Sequence, residues 1–260
     1  MASLLPVRLA RSASCSACRS FVSASPATLA LPLSRRNYST PAEQEPVDYT
    51  NKPRWSYTPP RTKAPFSLHL DSKRRPWSNN SDPKILDQFY IRFLGEGGDK
   101  VLSEEVKWLA VTHKSFDQGR RGFNDRLAFL GKRIVMLQAS LALAQSPANA
   151  SKTAPSDPFG REPFTHPALD GLNNLDPAAK KFLTNKSKIS DLAQHQYKLL
   201  QVLRWNPVDP DKIGRSGIEL VLTHTMFALV GAVALEKGGL VANQVTRERI
   251  LKPLGFAVTE

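Results

Sequence analysis

Leu127, Leu130, Ile134, Leu137, Leu141 and Ala144 recur at steps of three and four residues, the strongest periodicity in the chain. An α-helix of about twenty residues brings such positions onto one stripe, so the spacing predicts a long helix that buries the stripe against its neighbours. The flanking sequence agrees. Ser81-Asp82-Pro83 offers a capping residue and a proline for the first turn, Ile85, Phe89 and Phe93 follow at helical spacing, and Gly95 to Gly98 ends the segment. Further helices are expected over Ser103 to His113, with Val106, Leu109 and Ala110 on one face, and over Lys188 to Leu200, Gly217 to Glu236 and Val245 to Leu251. Ser146 to Ala178 holds six prolines and little periodicity, which predicts an exposed insertion loop. Few segments alternate apolar and polar residues as a half-buried strand would. The expected fold class is all-α, in a domain spanning 81–255 with the Pro-rich insertion at 146–178.

Charge narrows the partners. The 260 residues carry 36 basic against 23 acidic side chains, a net +13 with an isoelectric point near 9.9, and such an excess favours a polyanion, most simply nucleic acid. Part of it reads as an address. Met1 to Tyr38 contains no Asp, Glu or Lys but has five arginines and eight serines, the composition of a mitochondrial transit peptide over 1–38. Pro6 and the early arginines break the apolar core that a secretory signal needs, and Arg35-Arg36-Asn37-Tyr38-Ser39 suggests a cut near Tyr38. Removing that segment leaves 31 basic against 23 acidic residues, a charge of +8, and also removes Cys15 and Cys18. Their C-x-x-C spacing then carries no redox or metal role. The best candidate for a membrane span, Leu220 to Leu235, falls short of the roughly 18 residues required, so no membrane insertion is expected.

Residues 39–80 read as an extended basic and aromatic arm. Lys52, Arg54, Arg61, Lys63, Lys73, Arg74 and Arg75 face Asp71 alone between Asn51 and Trp77, with five prolines interleaved, and Pro59-Pro60 opposes helix. Trp55, Tyr57, Phe66 and Trp77 lie between the charges. Cations neutralise phosphates while flat rings stack on unpaired bases, so the composition suits RNA. The alternative is a solvated linker whose aromatics pack on the domain.

Two segments together resemble the ribonuclease III family. Leu109-Ala110-Val111-Thr112-His113-Lys114-Ser115 is similar to its L-x-x-T-H-x-S stretch, and Asn124-Asp125-Arg126-Leu127-Ala128-Phe129-Leu130-Gly131-Lys132 to its signature N-E-R-L-E-F-L-G-D. Downstream, Ser187 to Leu199, the loop Gly214-Arg215-Ser216-Gly217 and the segment Thr223 to Ala232 resemble the approach to the family's last catalytic helix and that helix itself. The resemblance runs from about Ser81 to Leu254 and implies the family's helical endonuclease fold.

In active members, four carboxylates hold divalent metal that activates water at the phosphodiester. The corresponding residues here are Ala128, Lys132, His224 and Phe227. Alanine and phenylalanine cannot ligate a hard cation, lysine repels it, and one histidine is a poor ligand for magnesium. The expectation is a non-enzyme with no catalytic residue, metal or cofactor; Asp125 alone does not assemble a site. The family's signature helix also forms its dimer contact, which implies Phe129, Leu130 and Ile134 as subunit-facing, where periodicity alone reads them as core. Lys132, with Arg133, becomes either a phosphate clamp on a duplex path or a solvated lysine. Lys180, Lys181, Lys186 and Lys188 form a further basic cluster, and His113 is expected to satisfy a helix end.

Family members usually continue into a double-stranded RNA-binding domain, and this sequence ends at Glu260, a few residues past the final expected helix. A basic, mitochondrial, catalytically stripped member with such an arm is similar to the RNase III-like proteins of the mitochondrial large ribosomal subunit. The implied partners are mitochondrial ribosomal RNA and other large-subunit proteins, including a second RNase III-like protein as heterodimer. A mitochondrial RNA-processing ribonuclease subunit and a ribosome-assembly factor are the alternatives.

Overall fold

A computed structural model describes residues 52–59, 61–64, 75–145, 157–161, 164, 166–169, 171–172, 175 and 177–256. Every described residue belongs to one compact unit, Asp48–Glu260. The expected transit peptide with its two cysteines, and Lys73, Arg74 and Phe66 of the arm, lie outside the described residues.

Seven helices occur among the described residues: α1 (Pro83–Leu94), α2 (Glu104–Val111), α3 (Asp125–Ala144), α4 (Pro177–Leu183), α5 (Lys186–Asp191), α6 (Ile218–Lys237) and α7 (Gly239–Thr246). Wider π-type turns, Leu192–Gln196 and Arg247–Leu251, continue α5 and α7. No strand forms among the described residues, whose one isolated bridge pairs Thr112 with Arg204. The all-α expectation holds.

Helix α6 is apolar on nearly every side and is buried from Val221 to Val233 except at His224. A helix of that kind belongs at the centre, and α2, α3, α5 and α7 pack around it. Together α3 and α6 are long and apolar enough to cross a membrane by length and composition. The reading of 220–235 as too short counted only the uncharged interior, whereas the helix has 20 residues. Two-thirds of its most apolar window is nevertheless buried inside the domain.

Where α3 crosses α6 the backbones nearly touch. A Cβ added at Gly131 would strike the Phe227 carbonyl, and one at Gly231 would strike the Leu127 carbonyl. That closeness rotates α3 away from the expected orientation. Its buried face is Leu127, Ala128, Gly131, Val135, Gln138, Ala139, Ala142 and Leu143, while Leu137 and Leu141 of the predicted stripe are 56% and 37% exposed. Small residues line the crossing because only they permit it, and the larger apolar side chains are displaced outward.

Other departures are local. Asp82 caps α1 by accepting from the Lys84 N–H, as expected, but Ile85 is exposed and Leu86, Phe89, Tyr90 and Phe93 are buried. The expected loop at 146–178 contains a short 3-10 turn, Pro167–Leu169, and its last two residues already belong to α4. The final helical segment begins six residues before Val245, at Gly239, immediately after the left-handed Gly238 that ends α6.

Candidate RNA interface and the altered signature site

The N-terminus of α3 is positioned from below by Asn124, which is fully buried. Its side-chain amide donates to the Ala110 carbonyl at 3.0 Å and lies 3.4 Å from Thr225 Oγ1, joining α2, α3 and α6 at one point. Asp125 then faces His224 across the crossing, with Oδ1 2.9 Å from Nε2, and Lys114 Nζ is 4.0 Å from Oδ2. The His113 ring lies edge-on to His224, with centroids 6.2 Å apart. His113 Nδ1 accepts from the Ser115 N–H at 3.2 Å and sits 2.9 Å from Ser115 Oγ, an arrangement of the neutral ring. Burial, then the neighbouring His224 and Lys114, push the His113 pKa down to about 4. His113 thus satisfies a turn, and the surviving acid is engaged by His224 and Lys114.

Of the four positions the resemblance singles out, Ala128 and Phe227 are buried and offer no oxygen, Lys132 is exposed, and His224 is half-buried against Asp125. Among the described residues no group of three or more His, Cys, Asp or Glu is arranged to hold a metal ion.

The arm is laid against the domain rather than free of it. Its 3-10 turn Arg54–Ser56 presents Trp55, which stacks on Trp108 of α2 with centroids 4.8 Å apart. Arg121 holds that turn by donating to the Trp55 carbonyl at 3.1 Å and to Thr58 Oγ1 at 2.9 Å, and Thr58 donates to Asp117. At the other end Asn79 Oδ1 accepts from the Trp205 N–H at 2.9 Å, and Trp77 packs edge-on against Trp205. The two arm tryptophans whose stacking was expected to suit RNA therefore contact protein rings. The exposed cations are what the described arm offers to solvent.

Between these attachments lies Arg204, only 4% exposed. The bridge to Thr112 fixes its backbone, with Arg204 N–H donating to the Val111 carbonyl and the His113 N–H to the Arg204 carbonyl. Its guanidinium carbon stands 3.7 Å over Trp108, 5.5 Å from Phe116 and 5.8 Å from Trp55. Desolvating such a cation costs several kcal/mol, and a buried aromatic face returns about 2 kcal/mol. Burial, with the charge of Arg121 beside it, pushes its pKa down to about 10. A cavity of about 230 Å³ opens here, lined by Arg54, Trp55, Trp108, Arg121 and Arg204 with Glu105 and Thr112. Neither Arg204 nor Arg121 was singled out by sequence; the one signal for Arg204 is a lone charge within Leu199 to Trp205, where Gln201 is the one other polar residue.

The remaining residues named from sequence are spread over the surface. Lys52, Arg54, Arg61 and Lys63 are exposed on the arm, and Arg75 is exposed and bonded to Asp211 at 3.3 Å. Lys132 and Arg133 are exposed on α3, Arg133 lying 5.2 Å over the ring of Phe129. Phe129 is 65% exposed, whereas Leu130 and Ile134 are partly buried and Ile134 packs on the core. Lys180 and Lys181 stand on α4 and Lys186 and Lys188 on α5, with Lys188 Nζ 4.4 Å from the centre of the Phe182 ring.

A family model described as ribonuclease-III-like matches residues 103–254. Over 269 aligned residues, 98% of this chain and 100% of the relative, the sequence is 43% identical to "Large ribosomal subunit protein mL57" of Neurospora crassa. Among solved structures, the nuclease domain of ribonuclease III from Campylobacter jejuni aligns with a TM-score of 0.45 at 21% identity, covering 69% of this chain and 100% of that one. A second structure of that domain, described by flexibility in a region involved in dimer formation, gives 0.43 at 21% identity over 66% and 97%. On the family match and the near-full-length relative, this chain belongs to the ribonuclease-III-like family.

Proposed function

We propose that the chain is a structural component of the mitochondrial large ribosomal subunit, binding ribosomal RNA without cleaving it. The observation that carries this reading is 43% identity over essentially the whole length to a protein named as part of a large ribosomal subunit. The acid-free, Arg-rich 1–38 segment supports import into mitochondria. The exposed cations of the arm and of α3, on a chain that keeps a charge of +8 without residues 1–38, support contact with a phosphate backbone.

The non-enzymatic part rests on Ala128, Lys132, His224 and Phe227 standing where active relatives carry carboxylates. Asp125 is the acid left at that place, and it is hydrogen-bonded to His224 and paired with Lys114. The exposed face of α3, with Phe129 65% and Leu137 56% exposed, supports a subunit contact there with a second RNase III-like chain.

Cross-linking in intact mitochondria followed by sequencing of the attached RNA tests the reading. Cross-links should fall on large-subunit ribosomal RNA, and the purified chain should leave duplex RNA intact in magnesium or manganese. Cross-links concentrated at unprocessed transcript junctions, together with cleavage by the purified chain, would make it a processing ribonuclease instead.

A further inference from the structure

Arg204 is buried as few unpaired cations are. Among the described residues it has no ion pair, and its hydrogen bond is the one from Nε to the Asn80 carbonyl at 3.1 Å. Arg204 lines the cavity, and no protein hydrogen bond engages its Nη groups among the described residues. Three aromatic rings within 6 Å offset part of the desolvation and supply no negative charge. Arg121 lines the same cavity, its Nε and Nη1 already committed to Thr58 and the Trp55 carbonyl, and Arg54 lies at the rim. Against these three guanidinium groups stand Glu105 on the rim and Asp117, which is occupied by Arg120 and Arg121. A site that buries a positive charge among aromatic walls and pairs it with no carboxylate is short of an anion.

We propose that this cavity takes one phosphate group of an RNA strand, gripped by Arg204 and Arg121 from within and by Arg54 at the rim. The inference rests on the RNA-binding reading above and assigns it a site that lies away from the signature helix. The N–H donors these three guanidinium groups keep beyond their protein hydrogen bonds suit the several oxygens of a phosphate better than the two of a carboxylate. Lys52, Arg61 and Lys63 are exposed on the same arm that carries Arg54, so a strand anchored here has further cations in the adjoining sequence. The device also explains why the arm turns at Arg54–Ser56: stacking Trp55 on Trp108 closes the cavity wall and brings Arg54 to its edge.

The full chain, Arg204→Met, Arg54→Gln and a triple arm variant (Lys52→Gln, Arg61→Gln, Lys63→Gln) would be compared in two measurements: thermal unfolding in sodium phosphate and in sodium acetate at one ionic strength, and binding of an eight-nucleotide oligouridylate. Phosphate should raise the wild-type Tm where acetate does not, and Arg204→Met should fold and lose that rise. Oligouridylate affinity should fall about tenfold in Arg204→Met and severalfold in Arg54→Gln. Should Arg204→Met fail to fold, Arg54→Gln at the exposed rim carries the test. Wild-type affinity in both cavity variants, with weakened binding by the triple variant, would overturn the cavity while leaving the RNA-binding arm standing. Unchanged binding by all the variants would overturn both. Equal stabilisation by acetate would overturn the phosphate assignment in favour of a carboxylate from a partner protein.

Discussion

Gly131 and Gly231 decide how closely α3 and α6 can approach, because a methyl group on either would meet backbone rather than a yielding side chain. Replacing a helical glycine by alanine ordinarily gains about 1 kcal/mol in helix propensity. Overpacking a tight contact costs about 1–3 kcal/mol, and against a carbonyl the upper end applies. Gly131→Ala should therefore lose about 2 kcal/mol in urea unfolding, whereas Gly214→Ala, which meets nothing within 4 Å, should be neutral. His113 gives a second prediction at this scale. Its folded pKa of about 4 lies below the ordinary 6.5, so on acidification the unfolded chain takes up the proton first. The stabilisation is complete above pH 6.5 and is lost as the pH falls towards 4, an effect on the order of 3 kcal/mol. His113→Gln should flatten that part of the stability-against-pH curve; an unchanged slope would remove His113 as its source.

The elements were legible from sequence to very different degrees. The capping sequence of α1, the length of α3 and the extent of α6 follow from short-range signals that the fold leaves intact: Asp82 before Pro83, and long apolar periods. The face that α3 buries was not legible, because periodicity weighs large apolar residues while the buried face includes the small Ala128, Gly131, Ala139 and Ala142. Its outward leucines follow from the crossing with α6. Val135→Ala should accordingly cost about 2 kcal/mol and Leu137→Ala less than about 0.5 kcal/mol in the isolated chain. The reverse order would restore the stripe read from sequence. The site shows the same division. The motif residues around Asp125 and His224 could be recognised by order and spacing, while Arg204 and Arg121 meet Trp55 only through the arm's tertiary path. No local pattern encodes that meeting.

At the scale of the whole molecule, a helical core presents two surfaces of different character. The arm side gathers exposed cations around Arg54 and the cavity of Arg204, and the outer face of α3 gathers Phe129, Leu137 and Leu141. One suits a phosphate backbone and the other a protein partner, as expected of a chain built to be held within a particle. Trp55→Ala should free the arm without unfolding the domain, seen as faster amide exchange over 52–64 and an unchanged rate in α6. Equal acceleration in α6 would make the arm part of the core. The most direct test of the ribosomal role is sedimentation of mitochondrial lysate through gradients of stepped salt, with protein copies counted in each fraction. A resident component travels with mature large subunits near one copy per particle and stays there at moderate salt. Confinement to immature particles, or release into light fractions, would contradict that role.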